Sequence, residues 1–255
     1  SPEEYIAQQV MAHRPEVVIC TESSNSVLFL LMAATPNMPV VSVMFDPVGA
    51  LLVPRLLSPG RNVTGVTMDG GAEAGGKRVQ LLNEALPKLR RIGHLLRVDQ
   101  VTSAESVAMR ASAQKLGLEL VLAPLDQPIN ADTLKRAMAS LVERKVEALI
   151  TASGIEFIEH GAVIAELATA AKLPGVGSHA EMTRSGLLMY YGPNLDDTFR
   201  ILARAADKVL RGANPDTLPV EQPVKFDFLL NLKTARAFGV EIAASARAQA
   251  TGVIE

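Results

Sequence analysis

The chain has 255 residues, 48% of them hydrophobic and 20% charged, with a formal net charge of −2. That size buries a core in one large or two small domains, and that balance is globular. Without a Lys/Arg block, nucleic-acid binding through a basic patch is excluded; the apolar runs fall short of the ~18 residues of a membrane span; and the single cysteine, Cys20, excludes an internal disulfide framework.

In chain order, apolar periodicity predicts a helix over 3–13, a strand over 17–21, a helix over 26–34, a strand over 40–45, a helix over 48–57 and a strand over 62–66. Next come a helix over 73–86, a strand over 91–98, a helix over 103–116, a strand over 119–123 and a helix over 131–144. They are followed by a strand over 148–152, a helix over 155–171, and strands over 175–178 and 186–190. The chain closes with a helix over 195–211, a strand over 226–230 and a helix over 232–238. Strands alternating with helices make βαβ units and a parallel sheet. The glycine-rich stretch 68–76 and the stretches 191–194 and 218–223 suit chain crossings between two lobes. The expected division is 1–67 with 192–222 for the first lobe, and 68–191 with 223–255 for the second.

Three blocks carry a family resemblance. Asp46-Pro47-Val48 ends a strand and is followed by Pro59-Gly60-Arg61-Asn62-Val63-Thr64-Gly65. The segment 218–239 reads LPVEQPVKFDFLLNLKTARAFG, and 186–193 reads GLLMYYGP. In this order they resemble the solute-binding components of ABC importers, in the branch with tryptophan- and phenylalanine-binding members. The resemblance implies an α/β, two-lobed fold of the type I periplasmic-binding kind, with a hinged cleft. It implies binding of an amino acid or related small carboxylate, possession of ABC permease subunits as membrane partners, and a periplasmic or lipid-anchored exported location. It implies no cofactor, no metal and no catalysis. By the same comparison, family members carry a strand, a helix and a second strand before the helix over 3–13, about sixty residues, or half a lobe of ordinary domain size. A chain without them would leave a strand edge unpaired. A ligand-sensing domain of a regulator with the same fold, or a truncated non-functional homologue, are the alternatives.

Ligands of parallel α/β sheets bind at the carboxyl ends of the strands, and polar residues stand at those ends here. In the first lobe they are Thr21, Ser23 and Ser24, then Asp46, then Thr64 and Thr67. In the second they are Thr151, Ser153 and Ile155, then His179 and Glu181, then Tyr191. Thr21–Ser24 opens a helix, where N–H groups and hydroxyls suit a carboxylate, or where a serine simply caps. Asp46 either takes a ligand ammonium or caps the element after it with Pro47 at its first position. His179 is either a ligand contact or a satisfied loop histidine. Of the adjacent Tyr190 and Tyr191, one points into the core, because side chains alternate along a strand.

Enzyme patterns are missing. Gly71–Arg78 matches G-x-x-x-x-G-K but ends in Arg where Ser or Thr binds magnesium, and it includes Glu73. His13, His94, His160 and His179 show no metal-ligand spacing, and there is no G-x-S-x-G elbow.

Overall fold

In the computed structural model, which describes residues 2–21, 25–68 and 70–255, the chain divides into two units. Unit 1 is Ser1–Gly70 with Pro193–Lys225, and unit 2 is Gly71–Gly192 with Phe226–Glu255.

Unit 1 is organised by the β-branched run of β2 (Val40–Met44), buried at all five positions. Such a run forms a strand when both faces of a parallel sheet are covered. β2 lies between β1 (Val18–Cys20) and β3 (Val63–Thr67), parallel to both, with Val18, Val40 and Val63 in register. One face carries Val40, Met44 and Val63 against Leu28, Leu31 and Met32 of α2 (Asn25–Ala34). The other carries Val41, Val43 and Val66 against Ile201, Leu202 and Ala205 of α9 (Leu195–Leu210). The helix α1 (Pro2–His13) packs on α2.

The 59–65 motif builds this unit. The Asn62 amide donates to the carbonyls of Thr35 (2.7 Å) and Met38 (2.9 Å), and Thr64 Oγ1 donates to the carbonyl of Leu218 (2.8 Å). At Gly65, φ is +139° and a Cβ would lie 2.0 Å from the Ser42 carbonyl oxygen, so no other residue fits there without moving the backbone.

No helix forms over 48–57. The segment is a series of turns, with Leu51 at φ +59°. Pro54 lacks a backbone donor and disfavours the helical region for Val53, so the apolar spacing is met by turns that bury Leu52 and Val53 in the core.

Unit 2 contains, among the described residues, a seven-stranded sheet ordered β10-β9-β8-β7-β6-β4-β5. Its strands are β4 (Arg91–Arg97), β5 (Glu119–Leu125), β6 (Ala148–Thr151), β7 (Gly175–Gly177), β8 (Met189–Pro193), β9 (Phe226–Asn231) and β10 (Gly252–Ile254). The pairs β4–β5, β4–β6, β6–β7 and β7–β8 are parallel. From β4 the chain goes to β5 on one side and then to β6 on the other, which makes the β4/β6 boundary a topological switch point. One face of the sheet packs Ile92, Ile150 and Val176 against α3 (Gly71–Ala85), α4 (Ala104–Lys115) and α11 (Ala244–Gln249). The other packs Leu95, Val121 and Leu149 against α5 (Ala131–Glu143) and α7 (Gly161–Ala170).

Further departures from the sequence expectation are local. The helix expected over 155–171 is two, α6 (Ile155–Glu159) and α7, broken at His160, whose Nε2 meets the Ile129 carbonyl at 3.0 Å. The strand expected over 186–190 runs Met189–Pro193, because Gly186 sits at φ +126° in a turn. The helices α8 (Ala180–Arg184) and α11, and strand β10, were not expected. The helix α10 (Leu232–Phe238) has the expected bounds, with Asn231 Oδ1 accepting from the Thr234 N–H and Gly239 closing it in the left-handed conformation.

Candidate functional site

The carboxyl edge of the unit 1 sheet holds the end of β1, the end of β2 and the end of β3. Thr21 follows β1 and is exposed; Ser23 and Ser24 lie outside the described residues. Asn25 donates from Nδ2 to the Phe45 carbonyl at 2.9 Å, which ties the start of α2 to the end of β2. Asp46 is exposed, with φ +40°. Its Oδ1 accepts from the Gly49 N–H at 3.0 Å, so it closes the turn after β2. Thr67 ends β3 opposite Met44; it is 1% exposed, and its hydroxyl meets no partner among the described residues. Thr64 is three residues before that end, and its hydroxyl is used by the 218–219 carbonyls. The sequence groups Thr64 with Thr67, but their side chains serve different purposes.

In unit 2 the edge is occupied by a polar network. Thr151, the last residue of β6, accepts at Oγ1 from the Ser178 N–H at 3.1 Å. Ser178 Oγ lies 2.9 Å from His179 Nδ1. Burial pushes the His179 imidazole down to about 3, with the Arg78 charge adding to the effect, so this ring is neutral at physiological pH. Glu181 stands apart, exposed on α8 and paired with Arg184. Tyr190 is buried, and burial raises its pKa. Tyr191 is partly buried and stacks on Phe226 with ring centroids 5.5 Å apart and 14° between planes.

Ser153 sits at the switch point, two residues beyond β6. Its N–H donates to Glu105 Oε2 (3.1 Å), its hydroxyl donates to Glu105 Oε1 (2.8 Å), and its carbonyl accepts from Gln100 Nε2 (2.6 Å). Glu105 is ion-paired with Arg78, which is fully buried. Arg78 also donates from Nε to the Tyr191 carbonyl (2.8 Å) and from Nη1 to Ser153 Oγ (3.2 Å). The close approach of α3 and α4 permits this: a Cβ at Gly75 would lie 2.8 Å from Glu105 Cγ. Further along the edge, Arg97 bonds Glu156 (3.0 Å) and Asp99 (2.8 Å). The Arg97 hydrogen bond holds the Asp99 carboxyl below its ordinary range. Ile155 lies between Ser153 and Glu156 and is half-buried.

Sequence reasoning singled out Ser153 and missed Arg78, Glu105 and Gln100. Arg78 had a legible signal. It falls on the buried stripe of α3 with Ala74, Val79, Leu82 and Ala85, and an arginine on a core-facing stripe needs a buried partner. The partner is 27 positions away, and no local pattern names it. Among the described residues, no group of three His, Cys, Asp or Glu side chains converges as a metal site.

The family profile for ABC transporter substrate binding proteins matches residues 4–254. The chain belongs to this family. It is 24% identical over 210 residues to a tyrosine-binding protein of Clostridioides difficile (strain R20291), an alignment covering 82% of this chain and 59% of that protein, less than two thirds of the relative's length. Among solved structures, a conserved domain protein from Vibrio cholerae O1 biovar El Tor superposes with a TM-score of 0.82 at 25% identity, covering 98% of this chain and 82% of that one. An ABC domain in complex with L-Trp from Streptococcus pneumoniae superposes with a TM-score of 0.85 at 23% identity, covering 99% and 83%. The fold is the type I periplasmic-binding fold, in agreement with the sequence expectation. Polar residues at the carboxyl edge of each sheet are where that architecture presents ligand-binding groups.

Proposed function

We propose that this substrate-binding family member binds a free amino acid, aromatic by preference, and delivers it unchanged to an ABC permease outside the cytoplasm. The observation that carries this reading is the family match across residues 4–254. The tyrosine-binding and L-Trp-bound relatives supply the solute class.

On this reading, strand-end residues are the candidate solute contacts within each unit. Unit 1 offers Thr21, Asp46 and Thr67, with Asp46 taking the ammonium. Unit 2 offers the 153–156 loop with Ile155, together with His179 and Tyr191, an aromatic platform braced by Phe226. A neutral His179 presents a hydrogen bond rather than a charge. The permease receives the solute-loaded form, which is favoured because the solute binds it better than any other state. No covalent step is involved.

Native mass spectrometry of the purified protein, before and after mixing with a panel of amino acids, tests the proposal. The expected result is a one-to-one complex with an aromatic amino acid and solute recovered unchanged. Chemical conversion of any panel member would contradict it.

A further inference from the structure

We propose that Glu105, braced by Arg78, is the positioning residue of the solute site in unit 2: it holds the loop after β6 in the one arrangement that receives the solute. The inference rests on the functional reading above, because it takes the 153–156 loop to be a solute contact.

Every polar group of Ser153 is held by a side chain from another element. Glu105 of α4 takes its N–H and hydroxyl, and Gln100, from the turn after β4, takes its carbonyl. A loop residue ordinarily spends such groups on water or on its own turn. Here the loop at the switch point is pinned on three sides, two of them by one carboxylate. The pinning continues in both directions. Gln100 Oε1 accepts from the Arg97 N–H at 3.0 Å, and Arg97 reaches Glu156 at 3.0 Å, so the far end of the loop is fixed to the end of β4. On the other side, Arg78 joins Glu105 to the Tyr191 carbonyl in the middle of β8. One connected network thus links the carboxyl ends of β4 and β6 to the middle of β8.

The arrangement also redefines Ser153. Its polar groups are consumed by the clamp, so it anchors the loop and leaves solute contact to its neighbours. Glu105 bonds Ser153 and Arg78 and acts on the solute only through the loop it holds. Its effect is transmitted by preorganisation: a loop already in its bound arrangement loses less freedom on binding. A buried ion pair is a weak source of stability, and this pair braces the switch point, where open α/β sheets bind ligands.

Glu105→Gln is the sharpest test, because the volume is kept while an amide NH2 replaces an acceptor oxygen. Whichever way the amide turns, it points a donor at a donor of Ser153 or Arg78. Affinity for L-tyrosine and L-tryptophan is measured by calorimetry, and amide exchange over 152–157 by mass spectrometry. Leu141→Ala, a buried α5 side chain outside the network, serves as a control for general destabilisation. We expect Glu105→Gln to weaken solute binding by about tenfold or more, the loss typical of hydrogen bonds to a charged group. Exchange of 152–157 should accelerate, and Leu141→Ala should keep wild-type affinity. If Glu105→Gln does not fold, Gln100→Ala, which removes one bond to the Ser153 carbonyl, is read in the same way. Wild-type affinity in the folded network variant, or equal weakening in Leu141→Ala, would overturn the positioning role alone. Failure of the wild type to bind any amino acid would remove the functional reading and this inference with it.

Discussion

His94 makes a quantitative prediction about acid. It lies in the middle of β4, fully buried, with no partner for either ring nitrogen among the described residues. Burial lowers its pKa from 6.5 to about 4, and the charges of Arg78 and Arg110 act in the same direction while Glu105 opposes them. In the unfolded chain the ring titrates near 6.5. Between these values the unfolded state binds the extra proton, so stability rises with pH through this window and falls as pH drops from about 6.5 towards about 4. At about pH 5 the unfolded ring is nearly all protonated and the folded ring about one-tenth protonated, which corresponds to a loss of about 2 kcal/mol relative to pH 7.5. Asp99, whose folded pKa is lowered, loses its contribution only below its ordinary carboxylate range, so it does not account for a loss at pH 5. Urea unfolding of the wild type and of His94→Leu at both pH values is the assay. The variant should lose about 2 kcal/mol less than the wild type between the two pH values, whatever its absolute stability. Equal acid sensitivity in the two proteins would refute the reasoning, because the neutral buried imidazole would then not be the group that resists protonation.

Asp46→Asn should leave stability within a few tenths of a kcal/mol, since asparagine keeps the oxygen that accepts from the Gly49 N–H. The same change should weaken amino-acid binding by about 1.5–3 kcal/mol, and unchanged affinity in titration would reduce Asp46 to a turn-closing residue. Thr64→Val removes a buried hydroxyl donor to the Leu218 carbonyl; it should cost about 1 kcal/mol in urea unfolding without altering affinity. Arg78→Met strands the Glu105 carboxylate and should destabilise the protein by about 3–5 kcal/mol, read as a lowered thermal midpoint; a loss under 1 kcal/mol would mean the pair is not buried in solution.

The fold was legible where a single residue pattern had a single structural solution. The runs 40–44 and 63–67 are β-branched and short, and both faces of the resulting strands are covered. The 232–238 helix carries its own cap and stop, Asn231 and Gly239. The segment 48–57 misled because its apolar spacing suits a helix, while Pro54 forbids one and turns bury the same side chains. The break at His160 depends on the Ile129 carbonyl, 31 positions away. At the candidate site, sequence reasoning found strand-end residues because strand ends follow from periodicity. It did not distinguish residues that face outward from those that the fold consumes. Thr64 and Ser153 spend their hydroxyls on distant partners, and Glu105 acquires its role only when α3 and α4 meet.

Calorimetric titration of the purified protein with L-tyrosine, L-tryptophan and the remaining common amino acids decides whether it is an amino-acid binder. We expect saturable one-to-one binding of at least one aromatic amino acid, a raised thermal midpoint in its presence, and full recovery of the unaltered solute. No binding across the panel, or conversion of the solute to a product, would contradict this expectation.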